Sequence, residues 1–145
     1  MQSEFGCFEI SMLIKEVYSS TMNIISKNFK DSGLTHQQIM VIKLVAHKKE
    51  ITISELCEEM SLAKGTVSGI VQRLESADYV KKVKYQSDKR NTYVTFSDKG
   101  LEFAKEFRHR INESFDEVFK NFTKEEIEET KKNLKKLRDK IKENE

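Results

Sequence analysis

Proline and tryptophan are absent from this 145-residue chain, and glycine occurs only five times. Helices in such a chain have no proline to break them and few glycines to weaken them, so they can run long. No stretch approaches the roughly 18 consecutive apolar residues of a membrane span, and no signal peptide opens the sequence. A cytoplasmic protein with no membrane partner is expected. Cysteine is scarce: Cys7 and Cys57 cannot make a disulfide framework. Cys57 follows Leu56 in a helix that must bury one face, and reads as a core thiol. The three histidines, His36, His47 and His109, have no second ligand at a metal-site spacing. There is no Gly-rich phosphate loop and no nucleophile–base constellation, so no enzyme, metal or cofactor is expected. His36 falls in the first turn of a helix, where it reads either as an anion contact or as an ordinary exposed residue.

What the chain has is charge. Hydrophobic residues make up 37% and charged residues 34%, which fits one helix-rich domain, 1–145, with a modest core. The net charge is only +2, but it is unevenly placed. Residues 61–96 hold seven cations (Lys64, Arg73, Lys81, Lys82, Lys84, Lys89, Arg90) against three anions, while 1–34, 35–60 and 97–145 sum to −1, −1 and 0. A solvated surface would mix its signs. A segregated excess is an electrostatic footprint for phosphate.

The same stretch has a pattern. Leu56 and Met60, then Val67, Ile70, Val71 and Leu74, recur at the spacing of buried helix faces. This predicts a helix-turn-helix over about 52–78. The opposite face of the second helix carries Lys64, Thr66, Ser68, Gln72 and Arg73, side chains that suit phosphate oxygens and base edges. Gly65 and Gly69 lie among them, either for close approach to a partner or as weak positions that a short helix tolerates. Val83 and Tyr85 alternate with Lys82 and Lys84, and Val94 and Phe96 with Tyr93 and Thr95. That is period-2 patterning on either side of a charged tip, Gln86 to Asn91, and predicts a hairpin over 80–96 with Val83, Tyr85, Val94 and Phe96 as its apolar face. Asp88 is placed to steady the guanidinium of Arg90, and an arginine at a hairpin tip can enter a narrow minor groove.

Three helix starts are written out by capping boxes with apolar staples: Thr35 with Gln38, Thr52 with Glu55, and Thr123 with Glu126. A first helix spans about 8–29 and stops near Gly33. After Ser97, a plausible cap, a long helix runs to about Asn121 with the stripe Leu101, Ala104, Phe107, Ile111, Phe115, Val118, Phe119 and Phe122. The last helix repeats Ile127, Thr130, Leu134, Leu137 and Ile141 in alternating steps of three and four, a coiled-coil seam. These helices carry more apolar stripe than a winged helix of about 60 residues needs. A homodimer in which they interleave is the simplest use for it.

With TVSGIVQRLE in the recognition helix, DKR in the wing and FSDKG opening the next helix, the chain resembles MarR-type winged helix-turn-helix transcriptional regulators over nearly its whole length. Asp88, Arg90, Phe96, Ser97 and Gly100 stand in the order of the family pattern. The resemblance implies a mainly α fold with a small β-hairpin wing (α+β). A DNA-binding part, 34–98, would lie between dimerisation helices at 5–32 and 98–143. It implies a homodimeric regulator, most often a repressor, that binds double-stranded DNA through Lys64, Thr66, Ser68, Gln72, Arg73, Lys84, Asp88, Lys89 and Arg90. Ile127, Leu134, Leu137 and Ile141 would form the dimer seam. Small aromatic effectors in this family bind where the dimer helices meet the winged part, which here would draw on Tyr18, Met22 and Met40. A packed core explains the same three residues. Some members sense oxidants through a cysteine in the first helix, but that cysteine lies about one turn closer to the second helix than Cys7 does, and an incidental terminal thiol is the better reading of Cys7. A winged-helix module that binds protein rather than DNA is the alternative reading. The cations at 61–96 favour DNA.

Overall fold

The computed structural model describes residues 4–145. Each helix start can be traced to a side chain. After α1 (Glu4–Asn28) and a short 3-10 turn (Lys30–Ser32), Gly33 adopts φ 72°, a left-handed conformation that a side chain would disfavour. α2 (His36–Lys48) then opens on a complete capping box, with the Thr35 hydroxyl accepting from the Gln38 amide and the Gln38 side chain accepting from the Thr35 amide. Thr52 and Glu55 do the same for α3 (Ile53–Met60), and Thr123 and Glu126 for α6 (Lys124–Lys142). α3 ends on Ser61 in the left-handed region, φ 53°, and the chain turns at once into α4 (Lys64–Ser76). This is the tight turn of the helix-turn-helix.

The chain divides into two units, Met1–Phe115 and Asp116–Glu145. In the first, a core closes around Ile39, Ile42, Leu56, Val67, Val71 and Leu74, all fully buried. α1 contributes only its second half: Met22 and Ile25, with Phe29 just after the helix, enter the core, while Phe8, Ile10, Leu13, Val17 and Tyr18 are exposed. α5 (Asp98–Val118) crosses the unit boundary. Its buried residues are Gly100, Ala104, Phe107, Ile111 and Ser114. The Phe29 and Phe107 rings meet at 5.0 Å. Buried Ser114 accepts from the Asn28 amide and donates to the Arg110 carbonyl, so its hydroxyl is satisfied. Arg110 lies over the Phe29 ring and reaches Asp31 at 2.7 Å, which lowers the Asp31 pKa.

Ser97 starts α5 by accepting from the Gly100 amide while donating to the Asp78 carbonyl. A Cβ at Gly100 would come within 1.7 Å of the Tyr79 carbonyl oxygen, so close packing of α5 on the chain after α4 requires glycine there. Leu101, the first member of the predicted α5 stripe, is exposed, and the helix ends at Val118 rather than near Asn121. Cys57 is half-buried rather than a full core thiol, and Cys7 is exposed.

The sheet departs from the sequence reading in three ways. It has three antiparallel strands in the order β1-β3-β2, because Glu50–Thr52 (β1) pairs with β3 (Asp88–Phe96), which also pairs with β2 (Val80–Tyr85). The turn is only Gln86-Ser87, so Lys89 and Arg90 belong to a strand and not to a six-residue tip. The face assignment also changes. Lys82 pairs with buried Val94, whereas Val83 pairs with Tyr93. Val80 and Val94 fill the core side, and Val83 lies on the outer one. Lys82 shares the register of Val94 but is exposed, its ammonium held by Gln72 and Glu75 of α4.

In the second unit, the Phe119 and Phe122 rings meet edge-on at 5.6 Å before α6. α6 buries nothing within the chain.

Candidate nucleic-acid interface

The core side of α4 is fixed by Val67, Ile70, Val71 and Leu74, all buried. Their burial turns Lys64, Gly65, Thr66, Gly69, Gln72 and Arg73 outward, all exposed, with Ser68 half-buried at the margin. Nothing lies within 4 Å of a Cβ built at Gly65 or Gly69. The fold does not need glycine at either place, in contrast to Gly100.

Between α3, α4 and the hairpin lies a depression of about 160 Å³, lined by Ile53, Ser54, Lys64, Ser68, Lys82, Arg90, Asn91 and Thr92. It gathers three cations and several hydroxyl and amide donors, with no carboxylate in its lining among the described residues. Such a set is chemically matched to phosphate oxygens. Lys82 is the hinge of the arrangement. Its ammonium donates to Gln72 Oε1 at 3.0 Å and lies 3.6 Å from Glu75, which ties the hairpin to α4. Sequence reasoning counted Lys82 in the cationic excess but passed over it as a site residue, together with Ser54 and Asn91. The signal was its spacing of two from Val80, which puts both on one strand face. Gln72 is correspondingly engaged within the protein, also donating to Ser76 at 3.4 Å.

Asp88 does not pair with Arg90, contrary to the spacing argument. Its carboxylate accepts from the Asn91 amide at 2.9 Å and the Tyr93 hydroxyl at 3.0 Å. Those bonds, with the backbone amides of Arg90 and Asn91, hold its pKa below the ordinary carboxylate value, and the hydrogen bond to Asp88 raises that of Tyr93. Asp88 therefore shapes the backbone around the turn, while Arg90 lines the depression. Beside it, Tyr85 and Tyr93 meet edge-on at 5.1 Å. Tyr85 donates to Glu50 at 2.5 Å, which raises the phenol pKa and braces the hairpin on β1. Lys84, Lys89 and Arg73 are exposed outside the depression.

The remaining candidate residues lie elsewhere. Tyr18 and Met40 line a groove of about 520 Å³ with His36, Gln37, Lys43, Leu44, Glu59, Met60, Ser61 and Leu62. Met22 is not in that lining: at 6% exposure it belongs to the core, because α1 turns it toward Ile25 and Phe29. On α6, Ile127 and Leu137 are half-buried, and Leu134 and Ile141 are exposed.

A MarR family model matches residues 32–91, the stretch from the start of α2 through most of the hairpin. The transcriptional regulator SarZ of Staphylococcus haemolyticus is 26% identical over 116 residues, 80% of this chain and 74% of that one. Among solved structures, a mutant MarR from E. coli complexed with operator DNA superposes with a TM-score of 0.79 at 22% identity, covering 94% of this chain and 99% of that one. BpsR of Bordetella bronchiseptica, described in terms of regulation of its DNA binding by 6-hydroxynicotinic acid, superposes at 0.77 with 19% identity over 89% and 98% of the two chains. These structures share the fold, and the family model falls on the helices and hairpin that build the cationic depression. The chain is thus similar to MarR-family winged helix-turn-helix transcriptional regulators: it shares their fold and carries the family model over residues 32–91.

Proposed function

We propose that this regulator is a homodimeric repressor that reads a palindromic operator. α4 would enter the major groove and the hairpin would follow the flanking backbone. The observation that carries this is the depression that brings Lys64 of α4 together with Lys82 and Arg90 of the hairpin. One phosphate could be held there by two elements at once, which would fix the register of α4 on the duplex. Residues 34–98 form the DNA-binding part in this reading, with Thr66, Ser68, Gln72 and Arg73 facing bases or backbone and Lys84, Asp88 and Lys89 serving the wing.

Residues 5–32 and 98–143 supply the dimer. The support is exposed apolar surface: Phe8, Ile10, Leu13 and Val17 on α1, and Leu134 and Ile141 on α6, are all more than 45% exposed. Apolar residues in such number mark a surface that a partner covers. Two-fold pairing would set the recognition helices about one DNA turn, roughly 34 Å, apart. An effector site is supported by the groove at Tyr18 and Met40, whose lining joins apolar and aromatic residues to the polar groups His36, Lys43 and Glu59, a mixture that suits a phenolic ligand. A ligand there would release DNA by favouring one spacing of the recognition helices over another.

The test is to sequence genomic fragments captured by the purified protein and then measure salt dependence on the site recovered. Arg90→Ala should weaken binding and reduce the slope of log affinity against log salt by about 1. Equal affinity for every duplex at physiological salt would overturn the reading.

A further inference from the structure

Gln72 carries the only side-chain amide of α4, and it is exposed on the outward face of that helix. An amide of this kind pairs with adenine in the major groove, donating to N7 and accepting from the N6 amine. To do so it must present its oxygen and nitrogen in the right order. A half-turn of the amide exchanges them, so whatever fixes the turn also fixes what the residue can read.

Two contacts hold this amide. Lys82 Nζ, from β2, donates to Gln72 Oε1 at 3.0 Å, and Gln72 Nε2 donates to Ser76 Oγ at 3.4 Å. An ammonium has donors and no acceptor, so the amide atom that faces it can only be the oxygen. The Ser76 hydroxyl both donates and accepts, and by itself would tolerate either orientation. The choice is therefore made by Lys82. Glu75, three residues along the helix from Gln72, lies 3.6 Å from the same ammonium and steadies it. The Lys82 and Glu75 side chains are 33% and 35% exposed, so the pair is partly shielded from water. Each end of the amide keeps one valence for a base: a lone pair on Oε1 and a hydrogen on Nε2.

From this geometry we propose that Lys82 is a specificity-determining positioning residue, which locks the Gln72 amide in the orientation that accepts adenine and rejects guanine. This role rests on the DNA-binding reading above. A guanine would set its O6, an acceptor, against Gln72 Oε1. A locked amide cannot turn away from that repulsion, whereas a free one swings aside and tolerates either purine. Lys82 also lines the depression with Lys64 and Arg90. One hairpin residue thus links the seat for a phosphate, which sets register, to the reading of one base by α4.

Two measurements on the full-length protein test this. The first needs no DNA. Side-chain nitrogen relaxation at Gln72 Nε2 should show a rigid amide in the wild type and a mobile one in Lys82→Met. Lys82→Arg, which keeps a donor, should retain the rigidity. The second is selection from a library of randomised duplexes, followed by competition between duplexes that differ at one base pair. The wild type should prefer adenine over guanine by about tenfold or more at one position of the selected site, and Gln72→Ala should abolish that preference. Lys82→Met should reduce it to about threefold or less, and Lys82→Arg should keep it. A residue that only contacts phosphate weakens binding to all sequences alike, as expected of Lys84→Met on the same strand. Uniform weakening by Lys82→Met with the adenine preference intact would overturn the role of Lys82. So would an amide as mobile in the wild type as in Lys82→Met, or a preference that Gln72→Ala leaves unchanged. Absence of preference at every position would instead fail the DNA-binding reading, and the role of Lys82 with it.

Discussion

Two kinds of glycine separate structure from function in this chain. A Cβ at Gly100 would meet the Tyr79 carbonyl oxygen at 1.7 Å, and a carbonyl in a packed turn cannot retreat. Gly100→Ala should therefore destabilise the fold by on the order of 3 kcal/mol, read by thermal or urea unfolding. Gly69 meets nothing. Gly69→Ala should raise stability by up to about 1 kcal/mol, since alanine is the better helix former, and yet weaken DNA binding if α4 lies against the duplex there. A Gly69→Ala protein that is more stable and binds DNA unchanged would remove close approach as the reason for that glycine. Asp88 gives a second contrast. Asp88→Asn makes the wing more positive, so simple charge predicts tighter binding. Loss of the anchoring by Asn91 and Tyr93 predicts weaker binding, and that is the outcome expected in a mobility-shift titration. The depressed pKa of Asp88 fixes the direction of its pH dependence. The contribution is complete above the ordinary aspartate value, about 3.9, and is lost as pH falls through the lower folded value. Tyr93 resonances followed by NMR should therefore stay constant to about pH 4 and shift below it, and the step should vanish in Asp88→Asn.

At the scale of elements, the capping boxes explain why the helix starts could be read from sequence. Each is a local event: a threonine and a glutamine or glutamate three residues on satisfy two helix amides without tertiary help. α3 has only eight residues and depends on this most. Thr52→Ala should cost about 1 kcal/mol in chemical unfolding. The sheet was less legible. β1 is three residues long and has no period to detect, and it exists because β3 offers it an edge. The faces of β2 were less legible because Lys82, at the register of Val94, is drawn to Gln72 and Glu75 of α4 by tertiary contacts that a binary pattern does not record. Asp88 and Arg90 were paired from their spacing, but Asn91 and Tyr93 compete for the carboxylate and win.

For the whole molecule, the question is what covers the apolar residues that the chain itself leaves open. α6 buries none of its residues within the chain, although Ile127, Leu134, Leu137 and Ile141 repeat at seam spacing. Leu137→Asp would bury a carboxylate in any contact made there, at a cost of several kcal/mol. The expected result is a monomer by sedimentation, with DNA binding lost although α4 is untouched. A stable, DNA-binding dimer carrying that substitution would remove α6 from the interface. The groove at Tyr18 and Met40 belongs to the same scale. Thermal-shift screening against phenolic acids should find stabilisation of about 2.7 kcal/mol at a ligand concentration a hundredfold above its dissociation constant, and DNA release should follow.

The sequence by itself determined the capped helix starts, the amphipathic faces of α3 and α4, the concentration of cations in 61–96 and the order of the helices. All of these are set by neighbours within a few residues, where spacing maps directly onto a face. Only the tertiary structure decided that Lys82 joins Lys64 and Arg90 in one depression, that Met22 is core while Tyr18 and Met40 line a groove, and that Gly100 is fixed by packing while Gly65 and Gly69 are not. Those outcomes depend on which segments distant in sequence come to share a surface. Strand register and core packing settle that, and neither leaves a periodic trace along the chain.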